Sequence, residues 1–378
     1  THHGGTDHEI CRERGRYGYR RRSGKKINPC FNRKNNKAAA GACPSLDSQS
    51  SCMKKAVFSF LLFCTTLTLP LHSFCWGFFA HQKINYYAVF LLPPEMLVLY
   101  KPNIPFLSEH AVDPDKRRYL VAAEGPRHYI DIDQYGSYPY PDLPRRWKDA
   151  VARFGEDSLN RHGIVPWHIQ TMLYRLTEAF KTKNFSLIMK YSAEIGHYIS
   201  DAHVPLHASS NHNGQLTGQH GIHGFWESRV PELLAEKEFD FLLGKAAYIK
   251  NPEEFTWKRV LESARAADTV LLFEKNLNAR YPADAKYSFE ERNGKLVRQY
   301  ASGYTIAYNS KLNGMVERRM RQSIFAVASF WYTAWVNAGQ PDLKELAGQQ
   351  FSATDFLEFE QLNRQWASGN GMIGRKEQ

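Results

Sequence analysis

The sequence predicts an all-α protein built as a single multi-helix domain, and three observations predict it. Apolar residues recur at helical spacing through most of the chain from Ile84 to Trp335. No stretch alternates as a set of strands would, and no internal repeat is visible. Two His/carboxylate pairs, His197 with Asp201 and His223 with Glu227, stand four residues apart, which on a helix stacks both side chains on one face.

The 378 residues carry a formal net charge of +11, distributed unevenly. Residues 1–75 hold 13 Lys/Arg against 4 Asp/Glu, leaving 36 against 34 in the rest, so the domain itself is nearly neutral. All six cysteines, from Cys11 to Cys75, also fall in the front end. A domain from Trp76 onward therefore cannot rest on a disulfide framework, and about 300 residues can bury a large core without one.

Residues 1–52 are Gly-, Arg-, Lys- and Asn-rich, lack methionine and show almost no apolar periodicity. They are expected to be a disordered or spurious extension ahead of a true start at Met53. Residues 53–75 then read as a secretory signal. Lys54-Lys55 form the basic region and Ala56–Leu71 the apolar one, and Ser73 and Cys75 supply small residues before the cleavage point. The apolar core is too short to favour a permanent transmembrane helix. Residues 76–378 are the expected mature domain, secreted or periplasmic, with Trp76 at its N-terminus.

In chain order, Ile84–Leu92 reads as helix until Pro93-Pro94 stop it, and Glu95–Tyr100 as a second. Asp113-Pro114 suits a helix cap and first turn. Residues 133–145 are Tyr/Pro-rich and loop-like. Helical patterns resume over Trp147–Phe154, Trp167–Thr182 and Phe185–Ala202; a polar loop follows at 208–220, then a helix over Gly221–Ala235. Glu254–Lys275 is helical by pattern. Tyr281–Leu296, with its Asn293-Gly294 turn signal, reads as a loop or small hairpin. Ser302–Ala338 reads as one long amphipathic helix or two abutting ones, and the tail after Trp366 as polar and frayed.

The chemistry concentrates in Gly196–His207 and His223–Glu227. Imidazole nitrogens and carboxylate oxygens converging from one face suit a zinc ion. One such pair is weak evidence. Two pairs, with His207 between them, are hard to explain as polar core or surface residues. His207 lies six residues past Asp201, which on a straight helix would turn it away. Pro205 intervenes, so the helix is expected to end near Ala202–Val204, with the turn swinging His207 back.

A Trp at the mature start, an early His, an Asp, a further His, then His-x3-Asp-x5-His and His-x3-Glu form an order that resembles the zinc-dependent phospholipase C and single-strand-specific nuclease superfamily. The resemblance covers Trp76 to Glu227. It implies an all-α domain with a trinuclear zinc cleft, three Zn2+ ions per chain, and hydrolysis of phosphoric esters by a hydroxide bridging two zincs. Carried onto this sequence, Trp76 and His81 bind one zinc with Asp201. Asp113, His128 and His197 bind a second, which Asp201 bridges to the first; Asp115, two residues on, competes with Asp113. His207, His223 and Glu227 bind the third. Asp113 is the expected catalytic group, orienting the attacking water, and Asp131 the group orienting His128. His203, His110, His212 and His220 match no ligand position, with His203 and His220 the next candidates.

The two branches of the superfamily divide on what surrounds the metals. The five-residue step from Trp76 to His81 resembles the nucleases. Glu227 as last carboxylate, the short loop between His207 and His223 and the absence of cysteines resemble the phospholipases. A nucleic-acid groove needs basic residues interleaved with aromatics, and near the motifs only Lys116, Arg117, Arg118 and Arg127 cluster. The expected substrate is therefore a phospholipid head group or other phosphodiester, with single-stranded nucleic acid as the alternative and a non-catalytic zinc-binding module as a third. No obligate protein partner is evident, and residues 240–378 carry no chemistry that the sequence names.

Overall fold

The computed structural model describes residues 77–292 and 294–368. The expected extension, the expected signal and Trp76 lie outside them, as does most of the polar tail. Among the described residues the protein is mostly helical, as its periodicity predicts, with one two-stranded antiparallel sheet.

Helix α1 spans Phe78–Val89, and short helices α2 (Pro94–Tyr100), α3 (Ile104–Glu109) and α4 (Asp113–Arg117) follow. Each of these three has a proline in its first turn, where the missing N–H costs nothing. A 3-10 turn at Gly125–His128 precedes α5 (Trp147–Phe154) and α6 (Glu156–His162). The two central helices are α7 (Val165–Lys181) and α8 (Phe185–Ala202). They pack against each other with their connection tightened by Asn184, whose side chain accepts from the Leu187 N–H at 3.0 Å as the N-cap of α8.

Past α8, a 3-10 turn occupies Pro205–Ala208. A helical turn at Ile222–Gly224 continues through a π-helical turn at Phe225–Arg229 into α9 (Val230–Glu238). The expected α-helix over Gly221–Ala235 is thus interrupted by a wider turn, and His223 and Glu227 straddle its start. Long helix α10 runs Pro252–Asn278. Strands β1 (Tyr287–Arg292) and β2 (Lys295–Tyr300) form the hairpin, with Tyr287 opposite Tyr300. Two abutting helices follow, α11 (Ser302–Lys311) and α12 (Met315–Asn337). Between them Gly314 adopts φ 71°, which ends the helical run. Helix α13 (Ala353–Ala367) closes the described chain, opened by a capping box of Ser352 and Asp355.

The core lies where α1, α7, α8 and α12 meet. Trp331 of α12 is fully buried against Tyr100 and donates its indole N–H to the Ser192 carbonyl of α8 at 2.9 Å. The metal-motif helix α8 is therefore central, with its C-terminal half buried on all sides. Among the described residues no helix is long and apolar enough to cross a membrane.

Candidate metal centre

Helix α8 sets the geometry. His197 and Asp201 stack one turn apart, fully buried, with His197 Nε2 3.2 Å from Asp201 Oδ2. Helix α1 crosses alongside and lays His81 flat on His197, ring centroids 3.8 Å apart, with its Nε2 3.5 Å from Asp201 Oδ1. This crossing is close because position 196 is glycine. A Cβ there would fall 2.0 Å from the side-chain oxygen of Asn85 on α1.

From the other side, the Gly125–His128 turn brings His128 Nδ1 to 3.0 Å from both Asp201 Oδ2 and His197 Nε2. The acidic partner from α4 is Asp115, whose Oδ1 stands 3.7 Å from both His128 Nδ1 and His197 Nε2. Asp113, the expected ligand and water-orienting group, is instead engaged elsewhere. It accepts from His110 Nδ1 at 2.6 Å and from the Lys116 ammonium at 3.0 Å. Two residues along a helix turn a side chain through about 200°. If one of the pair faces the cluster, the other cannot.

The third group forms as the sequence predicts, because the chain reverses at Pro205. His207 Nε2 lies 3.1 Å from His223 Nε2 and 3.4 Å from Glu227 Oε2, and His223 Nε2 is 3.0 Å from Glu227 Oε1. His207 Nδ1 also lies 3.7 Å from Asp201 Oδ1, so this group adjoins the others.

Three buried groups could hold metal ions: His81, His197 and Asp201; Asp115, His128 and His197; His207, His223 and Glu227. Of the sequence-predicted ligands, the structure brings seven together, leaves Asp113 outside the three groups, and does not describe Trp76. Gly77, the residue after Trp76, packs against the segment that carries Glu227. A Cβ on it would lie 2.6 Å from Ser228 Oγ.

The fit to cations rests on unpaired buried atoms. Neither ring nitrogen of His81 has a hydrogen-bond partner, nor have Asp201 Oδ1 or either oxygen of Glu227, and all three residues are fully buried. Polar atoms left this way in an interior are costly unless something coordinates them. Nitrogen and oxygen donors without thiolates suit a borderline or hard divalent cation.

Backbone carbonyls orient the rings. His197 donates from Nδ1 to the Ala111 carbonyl at 2.8 Å, His207 to that of His128, and His223 to that of His212 at 3.1 Å. A carbonyl can only accept, so the proton sits on Nδ1 in each ring and Nε2 offers its lone pair to the cluster. His128 is reversed, with Nδ1 inward and Nε2 facing Glu124 Oε1 at 3.6 Å. Glu124 thus faces the outer nitrogen of the His128 ring. It also accepts from the buried Tyr198 hydroxyl, from Arg127 at 2.8 Å and from Arg117 at 3.3 Å. Burial opposes the charge of Glu124, but His128 and Arg117 outweigh it and hold the carboxyl well below its usual range.

Protonation states favour ligation. Burial, reinforced by His197, pushes the His81 ring well below its ordinary value, so it stays neutral. Asp201 is held well below the carboxylate range because His197 and His207 outweigh its burial. Metal binding needs these two forms, neutral imidazole and ionised carboxylate.

Glu124 escaped the sequence reading, although its place four residues before His128 was a usable signal. Arg118 acquires a position only here. Buried, it sets a guanidinium nitrogen 3.6 Å from Asp115 Oδ1. His203 is buried but turned away, donating from Nδ1 to the Ile199 carbonyl at 2.7 Å, and His220 is exposed. Neither of these candidates joins a group.

No protein-family profile matches this chain, and no curated protein matches it either.

Proposed function

We propose that the chain is a trinuclear-zinc phosphodiester hydrolase of phospholipase C type. The observation that carries the reading is the sharing of ligands. Asp201 lies within 3.7 Å of His81, His128, His197 and His207, so one carboxylate touches all three groups. Zinc bound there would supply water activated near neutral pH and positive charge for phosphoryl oxygens.

The chain's own residues support phosphoryl chemistry. Asp115, Asp201 and Glu227 are the only carboxylates in the three groups, too few to neutralise three divalent cations. The loaded site therefore keeps a positive charge that favours an anionic ester. The carbonyls of Ala111, His128 and His212 lock the rings before substrate arrives, which is the preorganisation such catalysis requires.

Among substrates, lipid is favoured over nucleic acid by where the basic cluster points. Lys116 pairs with Asp113, Arg117 with Glu124 and Glu194, Arg118 with Asp115 and Arg127 with Glu124. Cations spent inside the protein do not track a phosphate backbone.

The test offers zinc-loaded protein phosphatidylcholine and single-stranded DNA or RNA in parallel, each with and without chelator. Chelator-sensitive release of phosphorylated head group alone is the expected result. Cleavage of nucleic acid alone would transfer the site to the nuclease branch. Retained zinc with no hydrolysis of either would leave a binding module.

A further inference from the structure

Helix α4 carries Asp115, yet it is only five residues long, Asp113–Arg117. A helix that short has almost no stability of its own, so its rotation is set by what its faces meet. Its inner face meets the metal groups through Asp115, whose Oδ1 stands 3.7 Å from His128 Nδ1 and His197 Nε2. Its outer face carries Asp113 and Lys116, one turn apart, and meets α13 from the far end of the chain. The buried Lys116 ammonium donates to Asp113 Oδ1 at 3.0 Å and to the side-chain oxygen of Asn363 at 2.8 Å. One turn before Asn363, Phe359 lies against the His110 ring with centroids 4.4 Å apart. His110 in turn donates to Asp113 at 2.6 Å, so both contacts of α13 converge on the outer face of α4.

Helix α13 also reaches the other helices that supply ligands to the first two groups. Near its start Asp355 accepts from Ser186 of α8 at 2.9 Å, and Glu358 pairs with Lys190 at 3.2 Å. Near its end Trp366 lies 5.4 Å from the Phe78 ring of α1. One helix therefore bridges the elements that bear His81, Asp115, His197 and Asp201. Yet none of its own residues is buried. Held by exposed ion pairs and half-buried rings, it belongs with the segments of a fold that open first.

We propose that α13 is a clasp on the metal centre, with Asn363 and Phe359 as positioning residues. They fix the rotation of α4 that aims Asp115 at His128 and His197. By linkage, the factor by which docking of α13 tightens metal binding is also the factor by which bound metal favours docking. A helix that merely shielded the core would be indifferent to metal at Asp115. This inference rests on the three groups binding metal, and it is independent of which ester is hydrolysed.

The experiment uses the full chain, stripped with chelator and then titrated with Zn2+, while amide hydrogen exchange is followed across Ala353–Ala367. Zinc is expected to slow exchange in α13 roughly tenfold, the scale on which partners behind a ligand act on a metal site. Asp115→Asn should abolish that response, although the His207 group still binds. A general stabilisation by zinc would survive this change. Asn363→Leu should weaken one zinc equivalent roughly tenfold and leave the His207 group as it was, and Phe359→Ala should act in the same direction. Asn363→Asp still offers Lys116 an acceptor and should restore the affinity. Exchange in α13 that ignores zinc in the wild-type chain would overturn the proposal. So would unchanged zinc affinities in Asn363→Leu, or an equal loss at every group. In each of these cases bound zinc would leave the metal reading standing. A wild-type chain that binds no zinc would defeat both.

Discussion

Arg319 donates from its Nε to the main-chain carbonyl of His203, 2.7 Å away and 116 residues earlier in the chain. Helix α8 ends one residue before His203, and the last carbonyls of a helix have no partner within it. Ser263 serves the neighbouring carbonyl of Ala202 at 2.7 Å. These two side chains, from α12 and α10, fix the exit from which His207 swings back to the cluster. Arg319→Met is expected to cost about 2–4 kcal/mol by stranding buried acceptors. It should also weaken metal at the His207 group before the others. Urea unfolding of the metal-free protein measures the first effect and stepwise metal titration the second.

Gly196→Ala should be among the most damaging single changes. Its Cβ would fall 2.0 Å from Asn85 Oδ1, and Asn85 cannot yield freely, since it donates to the Leu107 and Ala193 carbonyls at 3.0 Å each. A loss of about 3 kcal/mol or more is expected from forcing α1 away from α8. Because both sites share one contact, adding Asn85→Ala should cost less than its effect alone. A double-mutant cycle of unfolding midpoints checks this coupling.

Asp115→Asn and Asp113→Asn separate ligand from support. The first should remove close to one metal equivalent, read by elemental analysis after gel filtration. The second should keep the metals and lose stability, about 1–3 kcal/mol, because the buried Lys116 ammonium loses its carboxylate. The reverse pattern would restore Asp113 as the ligand.

His168 predicts an acid-side weakness. Buried against the Tyr198 ring, it is pushed down to about 3 by burial and then by Arg127. Its folded value lies below the unfolded value of about 6.5, so the unfolded chain alone takes up the proton between those limits. Stability is therefore full above pH 6.5 and falls as pH drops through that window, by up to about 1.4 kcal/mol per pH unit from this group. His168→Gln should flatten the slope. Urea midpoints at pH 7 and pH 5, with chelator present in both, give the comparison.

Much of the site was legible because its parts are local. His197 with Asp201 and His223 with Glu227 follow from spacing along one segment, and the return of His207 follows from Pro205. The extent of Phe185–Ala202 was readable for the same reason, since apolar period and the proline stop act within one stretch of chain. Asp115 was not separable from Asp113, because a five-residue helix has too little pattern to reveal its inward side. Tyr281–Leu296 stays open between loop and hairpin on sequence alone, since Asn293-Gly294 marks the turn without showing what holds the flanks.

The sequence by itself determined which residues could act as ligands and which pairs share a helix face, since backbone geometry sets those relations over a few residues. Only the tertiary structure decided that Asp115 rather than Asp113 faces His128, that Glu124 stands behind that ring, and that Arg319 closes the end of α8. Those choices depend on which surfaces of different helices meet. That is settled by packing the whole core around Trp331 and Gly196, not by the chemistry of any one segment.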